Sequence, residues 1–224
     1  MTYTLTLQSI EPVTHDTHHL VFNKPDGYVY TPGQACDFAL AKDGWRDEQR
    51  PFTFTGLPTD VTLEFVIKSY PDHDGVTEQI AKMQMTDQVE VSDPWGAIED
   101  KGPGVFIAGG AGITPFIAVL KRRLQTHGTL KDCHLVFSNK TENDIILRDA
   151  FTSMPGLNCH FVVTDDPESE LARDQIDKEY LAPIVSQTDG PIYICGPEPM
   201  IDDISKALKD LNVSDERIVT EDLD

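Results

Sequence analysis

Three short segments carry residue types whose spacing could do chemistry. Gly109-Gly110-Ala111-Gly112-Ile113-Thr114-Pro115 follows an apolar run and opens an amphipathic one. Glycines permit a tight turn and a close backbone approach, Thr114 can cap a helix, and Pro115 suits its first position. The exposed N–H groups and the positive end of the helix dipole would attract a diphosphate. The pattern departs from G-x-G-x-x-G because Pro115 stands where the last glycine belongs, and a bare strand-to-helix turn explains it equally well. Cys195-Gly196-Pro197-Glu198-Pro199-Met200 ends a second apolar run. Such a cysteine is either a small buried residue at a turn or a group at the strand end where ligands gather in open α/β sheets. Arg50-Pro51-Phe52-Thr53-Phe54-Thr55 offers a guanidinium fork, a flat aromatic face and a hydroxyl, although an ordinary strand with a surface arginine reads the same way.

The elements that would position these segments change character near residue 100. Before it, short alternating runs at 2–7, 19–22, 52–55, 61–65 and 88–91 predict strands, separated by turn signals at 24–27, 32–33, 42–44 and 71–75. A short helix is expected after Thr77, where Ile80 and Met83 repeat at helical spacing. Regular short strands of this kind suggest a small antiparallel Greek-key β-barrel. After Pro103, apolar strands at 105–108, 134–137, 159–163, 192–195 and 217–220 alternate with helices at 115–125 and 200–211. That is an α/β doubly wound parallel five-stranded sheet. The expected domains are 1–99 and 103–224, with the boundary in Glu99-Asp100-Lys101-Gly102-Pro103. The uncharged run 102–120 is long enough to suggest a membrane span, but its glycines and prolines fit a buried strand, a turn and a helix better.

Composition narrows the function classes. The chain has 224 residues, 38 acidic against 18 basic side chains, and a formal net charge of −20. Such a surface repels phosphate backbones and anionic lipid, so nucleic acid and membranes are excluded as partners. It also disfavours an acidic protein partner, although Lys121, Arg122 and Arg123 cluster on one helix. Cys36, Cys133, Cys159 and Cys195 show no Cys-x-x-Cys spacing, which removes zinc and iron–sulfur signatures and fits reduced thiols in a cytoplasmic protein. The start MTYTLTLQ has no signal-peptide character. His15, His18 and His19 are read as solvent-facing rather than as metal ligands, and no metal site is expected. The stretch 165–179, with seven acids and two bases, reads as a solvated helix and loop. No Walker lysine and no serine-nucleophile elbow occurs.

Taken together, in this order, the three segments and two further pieces resemble the ferredoxin–NADP reductase family of flavoenzymes, over essentially the whole chain. Arg50-Pro51-Phe52-Thr53 is similar to its flavin signature, Pro32-Gly33-Gln34 to the turn upstream, and Gly75-Val76-Thr77 to the segment that holds the flavin phosphate. The segment from Gly109 to Pro115 resembles the pyrophosphate loop, which ends in proline in this family, and Cys195 to Met200 the segment against the nicotinamide.

The resemblance implies a flavin barrel, a nicotinamide dinucleotide domain, and hydride passing from nicotinamide C4 to flavin N5 before electrons leave to a separate acceptor. By it, Thr53 lies near N5, Cys195 packs at the C4 edge by contact rather than as a nucleophile, and Glu221 serves proton supply or charge balance. Arg50, Pro51, Phe52, Thr53, Ile67, Gly75, Val76 and Thr77 are then flavin contacts. Gly110, Gly112, Thr114, Pro115, Asn139, Asp165, Cys195, Gly196, Pro197 and Met200 are dinucleotide contacts. Two departures stand out: Phe52 replaces the usual tyrosine, and Leu223 stands where many members carry an aromatic.

FAD is expected over FMN. Asp165 and Asp166 after the third strand of the sheet favour NADH, since a carboxylate suits a ribose 2′-hydroxyl and repels a 2′-phosphate. Asn139-Lys140 is the one basic counter-signal. The acceptor could be a ferredoxin, a flavodoxin, an oxygenase component or a small molecule, and the protein is expected to be a monomer. A redox sensor or partner subunit that binds both cofactors without turnover is the alternative.

Overall fold

The computed structural model describes residues 1–70, 75–96 and 98–221. The expected turn at 71–75 and Leu223 therefore lie wholly or mostly outside the described residues. Six antiparallel strands come first: β1 (Thr2–Pro12), β2 (Thr17–Asn23), β3 (Ala35–Leu40), β4 (Arg50–Thr53), β5 (Thr62–Lys68) and β6 (Gln88–Ser92). Their order is β4-β3-β6-β1-β2-β5. The ends of that order nearly meet, through a bridge between Phe54 and Phe65 and a Thr55 amide donating to the Glu64 carbonyl at 2.9 Å. The result is an almost closed barrel.

Strand β1 follows the period-two rule, with Leu5 and Leu7 turned inward. Inside, Phe22, Phe38 and Phe65 contact one another edge-on at centroid distances of 5.5 to 6.0 Å. Truncating one of these rings to alanine costs about 3–5 kcal/mol. Strand β3 was not evident in the sequence. Its pattern is buried on both faces, so Ala35-Cys36-Asp37-Phe38-Ala39-Leu40 shows no alternation. The short helix α1 (Val76–Ile80) closes one barrel end with Val76 and Ile80.

The parallel sheet contains β7 (Val105–Gly109), β8 (His134–Asn139), β9 (Asn158–Val163), β10 (Ile192–Cys195) and β11 (Ile218–Thr220), in the order β11-β10-β7-β8-β9. All residues of β7 and β10 are buried, as a strand covered on both faces requires. The chain builds outward from β7 through β8 to β9, then returns to lay β10 on the other side of β7. The carboxyl ends of β7 and β10 therefore flank the point where the winding reverses, the place where such sheets bind ligands.

Helices α2 (Thr114–His127) and α3 (Arg148–Thr152) pack on one face of the sheet, and α4 (Lys178–Val185) and α5 (Glu198–Asp210) on the other. Pro115 sits in the first turn of α2 and Gly128, at φ +74°, ends it by donating to the Leu124 carbonyl at 2.8 Å. Thr114 does not act as the cap expected of it: a 3₁₀ turn over Gly110–Ile113 runs directly into the helix, and Ile113 occupies the cap position. The expected helix within 165–179 is also corrected, since α4 begins only at Lys178, capped by Asp177 accepting from the Tyr180 amide at 2.8 Å. From the barrel side, Val66 and Ile98 join the core under α2. No helix among the described residues is long and apolar enough to cross a membrane.

Candidate functional site

The glycine turn after β7 and the Cys195-Gly196-Pro197 turn after β10 lie against each other. A Cβ on Gly112 would stand 2.5 Å from the Cys195 carbonyl carbon and 2.7 Å from Gly196 Cα. A Cβ on Gly109 would meet Met200 Sδ at 2.6 Å. Gly112 is needed for the close packing of the two loops, and Gly109 makes room for the Met200 side chain of α5. Gly110 differs: its φ is +52° and nothing lies within 4 Å of where a Cβ would be. It supplies the left-handed turn and leaves open space beside it.

That space is part of a cavity of about 1210 Å³ between barrel and sheet. Single-ligand pockets span roughly 300–1,000 Å³, so this one has room for more than one small molecule. From the barrel side its wall holds Pro51, Phe52, Thr53, Ile67 and Thr77. Phe52 is fixed by an edge-on contact with Phe38 at 5.3 Å. From the sheet side come Gly110, Gly112, Thr114, Pro115, Cys195, Gly196, Pro197 and Met200.

Cys195 is 5% exposed, and its thiol donates to Glu221 Oε2 at 3.5 Å. Burial first, and then the Glu221 charge, push this thiol well above its ordinary range. It is a neutral S–H donor at physiological pH, which suits contact and not nucleophilic attack.

Asn139, at the end of β8, lines the same cavity at 5% exposure, and neither atom of its amide has a hydrogen-bond partner. A buried amide left this way costs about 1–3 kcal/mol. Its backbone carbonyl is occupied, accepting from the Thr164 amide at 3.0 Å. Asp165 is exposed at the far end of the cavity, its amide donating to the Lys140 carbonyl at 2.8 Å.

Comparison with known proteins supplies the context for this geometry. Residues 106–206 match the oxidoreductase NAD-binding domain. The chain is 29% identical to NADH-cytochrome b5 reductase 2 of Mycosarcoma maydis, over 89% of this chain and 63% of that protein. It is 26% identical to the ferredoxin–NAD(P)(+) reductase component of the naphthalene 1,2-dioxygenase system of Pseudomonas putida, over 95% of this chain and 66% of that one. The CS-b5R domains of human Ncb5or, in an NAD+ form, superpose with a TM-score of 0.82 at 27% identity, covering 97% of this chain and 68% of that one. These likenesses support a place in the ferredoxin–NADP reductase family. It spans just under two thirds of the length of the first two curated relatives.

Not every residue expected from this family's signature reaches the cavity. The Arg50 guanidinium is exposed and turned to the Gln49 carbonyl at 2.7 Å and to Glu48 Oε2 at 3.3 Å. Gly75 and Val76 begin α1 behind the wall that Thr77 forms. Two of the three histidines are only partly exposed: His19 Nε2 pairs with Glu64 Oε2 at 3.2 Å, and His18 Nδ1 is buried. The basic cluster on α2 is not a free surface either. Lys121 donates to the Thr55 carbonyl at 2.9 Å and Arg123 to Asp100 Oδ1 at 2.7 Å.

Sequence reading missed Asp16, Lys68 and Asp144, which also line the cavity. The available signal was Thr141-Glu142-Asn143-Asp144, the spacing of a capping box, and that box is formed.

Proposed function

We propose that this chain is a flavin-dependent NAD(P)H oxidoreductase. It takes hydride from NADH in preference to NADPH onto FAD and passes electrons to a separate acceptor. The observation that carries the reading is one large cavity with Phe52 and Thr53 on its barrel wall and the Cys195–Glu221 pair on its sheet wall. The residues suit these cofactors. The unpartnered Asn139 amide offers a donor and an acceptor, Gly110 leaves room beside exposed amides, and Phe52 presents a flat ring. A bound flavin supplies hydride-accepting and electron-relaying chemistry that no side chain here offers.

The protein's part is position and electrostatics. Residues 1–99 form the flavin unit and 103–224 the dinucleotide unit. Thr53 and Ile67 seat the flavin ring, and Thr77 with the first amides of α1 hold its phosphate. Arg50 joins them by swinging from Glu48, an exposed ion pair of at most ~1 kcal/mol. Gly110, Thr114 and Pro115 present the helix start to the dinucleotide diphosphate. Cys195, with Gly196, Pro197 and Met200, packs the nicotinamide edge, and Glu221 accepts from the thiol and keeps it protonated. Asp165 favours a free ribose hydroxyl.

The four free cysteines suit a reducing, cytoplasmic setting. The acceptor is a separate molecule, of the class served by the related reductase components, and the working unit is a monomer.

The test is direct. The purified chain loaded with FAD should lose its visible flavin absorbance on mixing with NADH and regain it with a dye acceptor. A chain that binds no flavin, or whose flavin NADH leaves oxidised, refutes the reading.

A further inference from the structure

Strand β5 carries one row of contacts between the two halves of the molecule. Leu63, Phe65 and Ile67 point into the barrel core, so Glu64, Val66 and Lys68 stand on the other side. All three meet the α/β unit. Val66 enters its core, Glu64 Oε2 lies 3.5 Å from Lys121 Nζ of α2, and Lys68 Nζ lies 3.6 Å from Asp144 Oδ1. Lys68 is also 2.9 Å from Oδ2 of Asp16, in the turn between β1 and β2. Lys68, Asp16 and Asp144 all line the cavity, whereas Lys121, Thr55 and Glu64 do not.

Each aspartate divides its oxygens between two tasks. Asp16 Oδ1 accepts from the Thr14 and Thr17 hydroxyls at 2.9 and 3.1 Å, leaving Oδ2 for Lys68. Asp144 Oδ2 accepts from the Thr141 amide at 2.9 Å and its hydroxyl at 2.7 Å, leaving Oδ1 for Lys68. Both acids are thus fixed by their own loops before they meet the ammonium. The Lys68 side chain is 16% exposed and that of Asp144 is 11% exposed. Burial alone would push the Asp144 carboxyl up, but Thr141 and then Lys68 outweigh it and hold it below its ordinary range. The exposed His15 ring stands 3.7 and 3.9 Å from the two carboxylates.

The place of this bridge matters more than its strength. Lys68 follows Ile67 on the barrel wall, and Asp144 lies on the loop that leaves Asn139 on the sheet wall. The two walls are tied together at the cavity itself. We propose that Asp144 is a positioning residue: by holding Lys68 together with Asp16, it sets the separation between the barrel wall and the strand-end wall across which hydride passes. The proposal rests on the function given above.

Rapid mixing of the FAD-loaded protein with NADH separates the limiting rate of flavin bleaching from the NADH dissociation constant. Misplacing reacting groups by about 1 Å costs up to ~100-fold, so Asp144→Asn and Lys68→Met should lower the limiting rate by about 10- to 100-fold and raise the dissociation constant by a smaller factor. They should also weaken the long-wavelength absorbance of a stacked nicotinamide–flavin pair, measured with NAD+ on the reduced protein. Lys68→Arg, which keeps a cation between Asp16 and Asp144, should retain most of the rate that Lys68→Met loses. Lys121→Met, which breaks the tie away from the cavity, should lower the melting temperature and leave the limiting rate intact.

Limiting rates for Asp144→Asn and Lys68→Met within about twofold of wild type would overturn the inference, as would an equal loss in Lys121→Met. Wild-type protein that NADH does not bleach would instead refute the proposed function.

Discussion

Gly112→Ala tests the packing of the two loops that frame the site. The added methyl would lie 2.5 Å from the Cys195 carbonyl carbon and nearer still to its oxygen, where ordinary contact begins at 3.4 Å, so the loops must part by about 1 Å. Both neighbours are backbone, and no rotamer can absorb the clash. Overpacking of this kind costs about 1–3 kcal/mol or more, equivalent to a melting-temperature loss of roughly 3–10 °C for a chain of this size. The same parting moves Cys195 relative to the glycine turn, and a displacement near 1 Å predicts about a 100-fold fall in the rate of flavin reduction by NADH.

Gly110→Ala is the matched control for stability. Its methyl meets nothing, and only the φ of +52° is penalised, by about 1 kcal/mol. Scanning calorimetry and rapid-mixing absorbance on both variants decide the matter. If Gly112→Ala melts like Gly110→Ala and its flavin is reduced by NADH at the wild-type rate, the two loops are not in the contact described, and the argument for a site shaped by their approach fails.

Further outcomes follow from other residues. Asn139→Leu removes an amide with no partner, so the ligand-free protein should melt higher while NADH affinity drops by about 1–3 kcal/mol, read by calorimetry and titration. Asp165→Ser removes the carboxylate at the far end of the cavity and should raise the NADPH-to-NADH ratio of kcat/KM by about tenfold, measured in steady state. All four thiols are pushed up, chiefly by burial, Cys159 to about 11, so the native chain retains protons that the unfolded chain releases above its ordinary thiol pKa of 9.0. Stability should therefore fall between pH 9 and 11, seen as a declining urea midpoint, and Cys195 should resist alkylation at pH 8 in the native state.

Much of the architecture was legible because its signals are local. Alternation in β1, the continuous apolar runs of β7 and β10, and the order of the glycine, cysteine and arginine segments were all visible in the chain. Those signals work because strand pleat, helix pitch and turn geometry repeat over a few residues. Strand β3 escaped because burial on both faces erases alternation, and α4 because Pro183 interrupts its pattern. The partial cover of the histidines at 18 and 19 was not visible because their surroundings come from distant strands.

What only the tertiary structure decided is which distant residues meet. Cys195 and Glu221 become partners because β10 and β11 lie side by side. Lys68 finds Asp16 and Asp144 because β5 ends where the loop after β8 begins. Gly112 owes its importance to a carbonyl of another loop, and Arg50 turns outward to its own neighbours. No short-range pattern encodes such pairings. They depend on strand order and on the docking of two sheets, which the whole chain settles at once when it buries its apolar faces.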